Sequence, residues 1–221
     1  LGTIGELGCV SFHETKNLLS GEGGALLVND ARFVARAEII REKGTNRSTF
    51  LRGKIDKYSW VDIGSSYLPS ELNAAFLEAQ FAHSDAVIAR RRAVWQRYYA
   101  GLGTLAAAGL IELPRRDYDD REPNGHLFYV LTDTLATRSA LAAHLRTRDI
   151  LSVSHYVPLH SSPAGRQRGR ASGSMKVTDD SSGRLLRLPI YYSISDAQVD
   201  TVIDAVRDFF KTRPRQSAAA R

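Results

Sequence analysis

The chain opens on two short apolar runs separated by a polar, glycine-rich stretch. Gly8-Cys9-Val10 leads in and Ala25-Leu26-Leu27-Val28 leads out. Apolar runs of this length, bounded by turn residues, predict a strand–turn–strand unit whose first strand ends at about His13. Asn29-Asp30 then offers capping side chains to a helical pattern of Phe33, Val34, Ala37 and Ile40, which Gly44 terminates. Over residues 45–66 the periodicity disappears. A connection that long, with Gly, Asp and Ser scattered among basic and aromatic residues, predicts a functional loop. Pro69-Ser70-Glu71 starts a long helix to about Leu102, bent near His83-Ser84, with Ala75, Leu77, Ala79, Val87 and Ile88 as its apolar stripe.

Farther along that helix Trp95, Tyr98 and Tyr99 fall at core spacing, while Arg90-Arg91-Arg92 reads as a solvated patch. From Ile111 the pattern shortens. Strands are expected over 111–114, 127–131 and 150–156, and a helix over 137–148. A final amphipathic helix over 196–210 carries Val199, Val202, Ile203, Val206 and Phe209 on one face. Polar loops are expected over 115–124 and 161–174, the latter rich in Gly, Ser and Arg and expected to be mobile. Residues 212–221 carry no core-forming pattern and are expected to be a disordered tail.

Composition narrows the class. In 221 residues, 43% are hydrophobic and 24% charged, an ordinary globular balance. No apolar run is long enough to span a bilayer, and the first residues lack a signal-peptide pattern. Cys9 is the single cysteine and has no internal disulfide partner; in an apolar strand it reads as a small core residue, and a reducing cytoplasm fits. Cys9 and six scattered histidines show no metal-ligand spacing, so no metal is expected. The net charge of +6 suits anionic partners, but no zinc-finger spacing or RNA-binding aromatic run supports nucleic acid. The excess is arginine dispersed along helices plus a basic stretch over 166–170, read as solvated surface.

Candidate chemistry centres on Ser11-Phe12-His13-Glu14-Thr15-Lys16-Asn17. Lys16 lies in a short polar turn held between two strands, which is where an amine nucleophile must sit, and it would need a partly desolvated or cationic surrounding. A merely solvated turn lysine is the other reading of the local pattern. The block and the Gly21-Glu22-Gly23-Gly24-Ala25 that follows strongly resemble the lysine segment of the DegT/DnrJ/StrS-type sugar aminotransferases, which use pyridoxal phosphate (PLP). Further resemblance runs through residues 38–47, 56–68, 155–160 and 184–189, reaching about Phe210. Within the family the blocks look closest to transaminases of dTDP-4-oxo-6-deoxyglucose.

The resemblance implies an α/β fold, the C-terminal part of a fold-type-I PLP aminotransferase. Residues 1–84 would be the end of the large PLP-binding domain and 85–211 the small C-terminal domain. It implies amination of the 4-keto carbon of a dTDP-6-deoxyhexose with glutamate as donor, for surface polysaccharide or glycolipid synthesis, by a cytoplasmic homodimer. Lys16 would hold PLP and shuttle a proton. Ser11 would meet the cofactor phosphate, or else make only a strand-end hydrogen bond. Ser66 and Tyr67 would approach the partner's cofactor phosphate, although Leu68 stands where many relatives are polar or basic. Arg52 and Lys57 either attract the substrate diphosphate or are plain surface charge. His155, Tyr156 and His160 would face the sugar, or form a packed strand end; His13 is read as structural. By the same resemblance the chain lacks an N-terminal half that would supply the rest of the cofactor site. The 221 residues are therefore expected to be inactive alone. A non-catalytic remnant of a split gene, or a dimerisation or interaction module, is the alternative.

Overall fold

In the computed structural model, residues 2–116 and 121–211 are described. The expected tail over 212–221 and the middle of the expected 115–124 loop lie outside them. The chain divides into two compact units, Leu1–Val87 and Ile88–Arg221.

In the first unit, strands β1 (Leu7–Ser11) and β2 (Gly24–Val28) pair antiparallel, with Leu7 opposite Val28 and Ser11 opposite Gly24. Cys9 is exposed rather than a core residue. Alternate strand residues face opposite sides, and the covered side belongs to Gly8, onto which the backbone of Gly2 packs so closely that a Cβ would collide with it. Asp30 caps a 3₁₀ turn, Ala31–Phe33, by accepting from the Arg32 N–H at 2.9 Å, and α1 (Val34–Arg41) follows. Lys43 and Gly44 take left-handed φ angles of 64° and 74° and stop the helix. A Cβ on Gly44 would strike the Asp62 carbonyl oxygen, so only glycine lets the return strand of this loop lie there.

The expected 45–66 loop contains a short helix, α2 (Arg47–Leu51), and is tied at its base by isolated pairings of Glu42 with Ser66 and Thr45 with Trp60. Helix α3 (Glu71–Ala82) begins where the Ser70 hydroxyl accepts from the Asn73 N–H at 3.2 Å. It ends at His83, and α4 (Ser84–Ala107) starts afresh, which is the anticipated bend. Ala75 and Ala79 of the expected apolar stripe are exposed in this unit and Leu77 is half-buried.

The second unit contains the hydrophobic core. Strands β3 (Phe128–Leu131), β4 (Val153–Ser154) and β5 (Leu185–Leu188) form an antiparallel sheet in the order β3-β5-β4. Helices α5 (Leu135–Arg146) and α8 (Asp196–Lys211) pack together, and Val199, Val202, Ile203, Val206 and Phe209 are buried as expected. Trp95 and Tyr98 of α4 join that core, their rings against Phe128. Sequence periodicity overestimated two strands: residues 111–114 form only an isolated pairing of Glu112 with Leu131, and 150–156 only the two-residue β4. It missed helix in polar sequence. The expected 161–174 loop holds α6 (Pro163–Arg168), capped by Ser162, and α7 (Lys176–Arg184) precedes β5.

Arg91 is not solvated. It is 7% exposed and donates from Nε to Gly125 O at 3.1 Å and from Nη2 to His126 O at 2.8 Å and Ile190 O at 3.3 Å. Burial lowers its pKa. No described helix is long and apolar enough to cross a membrane.

Candidate active site

The loop between β1 and β2 is fixed by its own backbone. Phe12 N–H donates to Gly23 O at 2.9 Å, Glu14 N–H to Gly21 O at 2.8 Å and Ser20 N–H to Phe12 O at 2.8 Å. Lys16 N–H closes a tight turn onto His13 O at 2.9 Å. The glycines expected to mark a turn do so with positive φ at Gly21 and Gly23. The Lys16 side chain is half-buried, and among the described residues no carboxylate pairs with its ammonium.

His13 works inside this turn. Its Nδ1 lies 3.0 Å from Thr15 Oγ1 and accepts from the Thr15 N–H at 3.2 Å, while Nε2 is 3.7 Å from Glu22 Oε1. Imidazole therefore braces the backbone just before the lysine and reaches the Glu22 carboxylate after it. Ser11 Oγ accepts from the His13 N–H at 3.4 Å, a long bond that leaves the hydroxyl proton free to donate. Behind the loop, Phe12 meets Phe81 edge-on with ring centroids 5.6 Å apart. A cavity of about 260 Å³ opens there, lined by Phe12, Ser20, Gly24, Asn73, Leu77 and Phe81; Lys16 and Ser11 do not line it.

The remaining candidates of the first unit lie on the 42–68 segment. Its base is the carboxylate of Glu42, 6% exposed, which takes hydrogen bonds from Arg41 at 2.9 Å, Ser48 at 3.0 Å and Arg47 at 3.2 Å. Ser66 is exposed and pairs with Glu42 through the backbone. Tyr67 is anchored by its N–H to Arg41 O at 3.1 Å, with its ring exposed. Arg52 is clamped: both of its Nη atoms donate to the Glu38 carboxylate, one at 2.9 Å. That hydrogen bonding raises the Arg52 pKa and lowers that of Glu38. Lys57 is exposed, with no ion pair among the described residues.

In the second unit His155, Tyr156 and His160 follow β4. The His155 and Tyr156 rings meet edge-on at 5.2 Å, and both side chains are exposed. Partial desolvation and the nearby Arg187 guanidinium hold the His155 pKa below its usual value. His160 Nε2 is 2.9 Å from Asp179 Oδ1. The Arg52–Glu38 and His160–Asp179 pairs join residues 14 and 19 positions apart, beyond what local spacing can signal. The structure thus places His13 and Lys16 in one turn with Ser11 at the strand end that leads into it, and His155, Tyr156 and His160 along one stretch.

The donors around Lys16 fit PLP: a half-buried primary amine with no competing carboxylate among the described residues, and the Ser11 hydroxyl at the end of β1. Residues 1–207 match the model of the DegT/DnrJ/EryC1/StrS aminotransferase family. The chain belongs to that family. Aminotransferases of the DegT/DnrJ/EryC1/StrS family depend on PLP, and their α/β fold of type I is the fold of this chain. The chain is 32% identical over 212 residues to a dTDP-3-amino-3,4,6-trideoxy-alpha-D-glucose transaminase of Streptomyces venezuelae, covering 95% of this chain and 52% of that protein. It is 29% identical to a dTDP-4-dehydro-2,3,6-trideoxy-D-glucose 4-aminotransferase of Saccharopolyspora spinosa, covering 92% and 52%. The solved S. venezuelae DesV superposes with a TM-score of 0.80 at 33% identity, covering 96% of this chain and 53% of DesV. The chain spans about half the length of the curated relatives it matches.

Proposed function

We propose that this chain carries the PLP-anchoring lysine, Lys16, of an enzyme that aminates the 4-keto carbon of a dTDP-6-deoxyhexose, with glutamate as donor. The carrying observation is the Lys16 turn: an amine held between two strands, braced by His13 and unpaired among the described residues. When bound, PLP supplies an electron sink for the carbanion formed at the transferred amine's carbon. Lys16 holds the cofactor and, once released, moves a proton at its Nζ. His13 and Thr15 keep that amine in one place, and the Ser11 hydroxyl donates to the cofactor phosphate. Tyr156 and His155 present a phenol and an imidazole to sugar hydroxyls, and Ser66 and Tyr67 serve a partner's cofactor site in a homodimer. We place the domain boundary near residue 84 and the enzyme in the cytoplasm.

The names of the relatives support a dTDP-sugar substrate but divide between the 3- and 4-positions of the ring. A full-length protein containing these residues, given glutamate and either the 4-keto or the 3-keto dTDP-6-deoxyhexose, should aminate the first. Amination of the 3-keto isomer alone would overturn the position, and amination of neither would overturn the substrate class. A second reading, an interaction module, is favoured by apolar side chains that the first unit leaves exposed, among them Trp60, Ile63 and Leu72. The amination assay separates it from the enzyme.

A further inference from the structure

The Lys16 turn leans on a part of the hairpin loop that has little stiffness of its own. Glu22 lies between Gly21 and Gly23, which take φ angles of 79° and 151°. Glycine enters such conformations without steric cost, and for the same reason leaves them readily. Glu22 is nevertheless pinned. Its carbonyl oxygen accepts from the Ser20 hydroxyl at 2.8 Å and from Asn73 Nδ2 at 3.2 Å, so both lone pairs are engaged. Ser20 is 7% exposed and belongs to the loop itself, its N–H bonded to Phe12 O. Asn73 reaches in from α3, 51 positions along the chain.

Asn73 is held where it can do this. It is the third residue of α3, and its own N–H donates to the Ser70 cap. Asn73 and Leu77, one helical turn apart, are half-buried and line the cavity that Phe12 and Ser20 also line. From Glu22 the path to the lysine is short. The Glu22 carboxylate stands 3.7 Å from His13 Nε2. His13 Nδ1 accepts the Thr15 N–H, so the ring proton is on Nε2 and faces that carboxylate. Lys16 follows Thr15, and its N–H returns to His13 O. Moving Glu22 therefore moves the charge that orients the His13 ring, and with the ring the acceptor that holds the residue before the lysine.

We propose that Asn73 is a positioning residue for Lys16, acting through Glu22 and His13, a proposal that rests on the function proposed above. Its side chain bonds the Glu22 backbone and leaves Lys16 itself untouched, so its effect is transmitted. Helix α3 thereby supplies the rigidity that a glycine-flanked loop lacks. A reacting group displaced by about 1 Å can lose on the order of a hundredfold in rate. A pin of ordinary hydrogen-bond strength therefore matters more for where the amine sits than for whether the chain folds.

The test exploits aspartate, which has the shape of asparagine, suits the first turn of a helix and cannot donate when ionised. A full-length protein containing these residues, free of PLP, is treated with acetic anhydride in mildly alkaline buffer. Peptide mapping then gives the labelling ratio of Lys16 to the exposed Lys57. Asn73→Asp and Asn73→Ala should each raise that ratio by about threefold or more, the range of one lost hydrogen bond, as the loosened turn exposes the amine. The circular dichroism spectrum should stay unchanged. If Asn73 serves packing alone, the Asn73→Asp ratio matches the parent, and that result overturns the proposal. A cycle with His13→Ala tests the route. In that background Asn73→Asp should change the ratio by less than about twofold, because the link is already cut. An undiminished effect there overturns transmission through His13. The labelling uses no PLP, so the two readings fail separately. Parent-like ratios with PLP fixed by borohydride to Lys16 sink the Asn73 assignment alone, and PLP fixed to another lysine of the parent sinks the reading beneath it.

Discussion

In the unit that starts at Ile88, Val94, Tyr98, Leu102, Phe128, Leu141, Leu186 and Val206 are fully buried and touch one another across α4, the β3-β5-β4 sheet, α5 and α8. In the unit that ends at Val87, no described side chain belongs to that core. Its large apolar groups face outward instead: Trp60 is 78% exposed, Ile63 85% and Leu72 83%. Order there comes from polar and backbone devices, namely the hairpin ladder, the Glu42 carboxylate with its three donors, and the close approach of Gly44 to Asp62. The contrast teaches that a shared apolar core organises the second unit. The first unit has the composition of a buried layer without the burial, so its shape depends on a few hydrogen-bonded positions.

The contrast breaks most visibly in the cores. Phe128→Ala should cost about 3–5 kcal/mol, because the ring is fully buried and its removal leaves a cavity beside Trp95 and Tyr98. Phe76→Ala in α3, where the ring is half exposed, should cost less than about 1 kcal/mol. Urea unfolding followed by far-ultraviolet circular dichroism reads both, and equal losses would remove the distinction between the units.

The next largest effect belongs to Glu42. Glu42→Ala should cost about 1–3 kcal/mol by leaving Ser48 and the Arg41 and Arg47 guanidinium groups without their shared acceptor. Limited proteolysis should then cut within residues 45–66 before anywhere in the second unit. First cuts in the second unit would show that the carboxylate does not hold this loop.

The same carboxylate gives a pH dependence. Burial pushes the Glu42 pKa up, but hydrogen bonds from Arg41, Ser48 and Arg47 outweigh it and hold the group below its ordinary 4.5. The folded state therefore binds fewer protons than the unfolded state as pH passes 4.5. Its stabilising contribution is complete above that pH and is lost as pH falls through the lower native value. Glu42→Gln should flatten this part of the stability curve. An unaltered acid limb would assign the effect to other carboxylates.

The smallest effect is a single titration in the second unit. The His155 ring should show an NMR midpoint below 6.5, and Arg187→Gln should move it upward by removing a neighbouring positive charge. A midpoint at or above 6.5 would mean that the ring is more solvated than its contacts imply.

Much of this organisation is legible in the sequence, for identifiable reasons. The hairpin, the cap at Ser70, the bend at His83 and the apolar face of α8 all rest on local spacing, and local spacing is what periodicity reads. The lysine turn is legible for the same reason, since its bracing residues lie within a few positions of Lys16. Three features escaped, the first because its cause lies far away in the chain and the other two because composition masks a local contact. Arg91 looks like surface in Arg90-Arg91-Arg92, and only the carbonyls of Gly125, His126 and Ile190 make it a buried anchor. Cys9 looks like core in an apolar strand, and only the packing of Gly2 on Gly8 decides which side is covered. Helix α6 looks like loop because Gly165, Gly169 and the arginines hide a cap at Ser162.

We propose Lys16 as the amine that holds the cofactor. Borohydride reduction of the PLP-loaded protein in a full-length context, followed by peptide mapping, tests it directly. The label is expected on Lys16, and both label and amination activity should be lost in Lys16→Ala. A label on Lys43, Lys54 or Lys57, or turnover retained by Lys16→Ala, would contradict it.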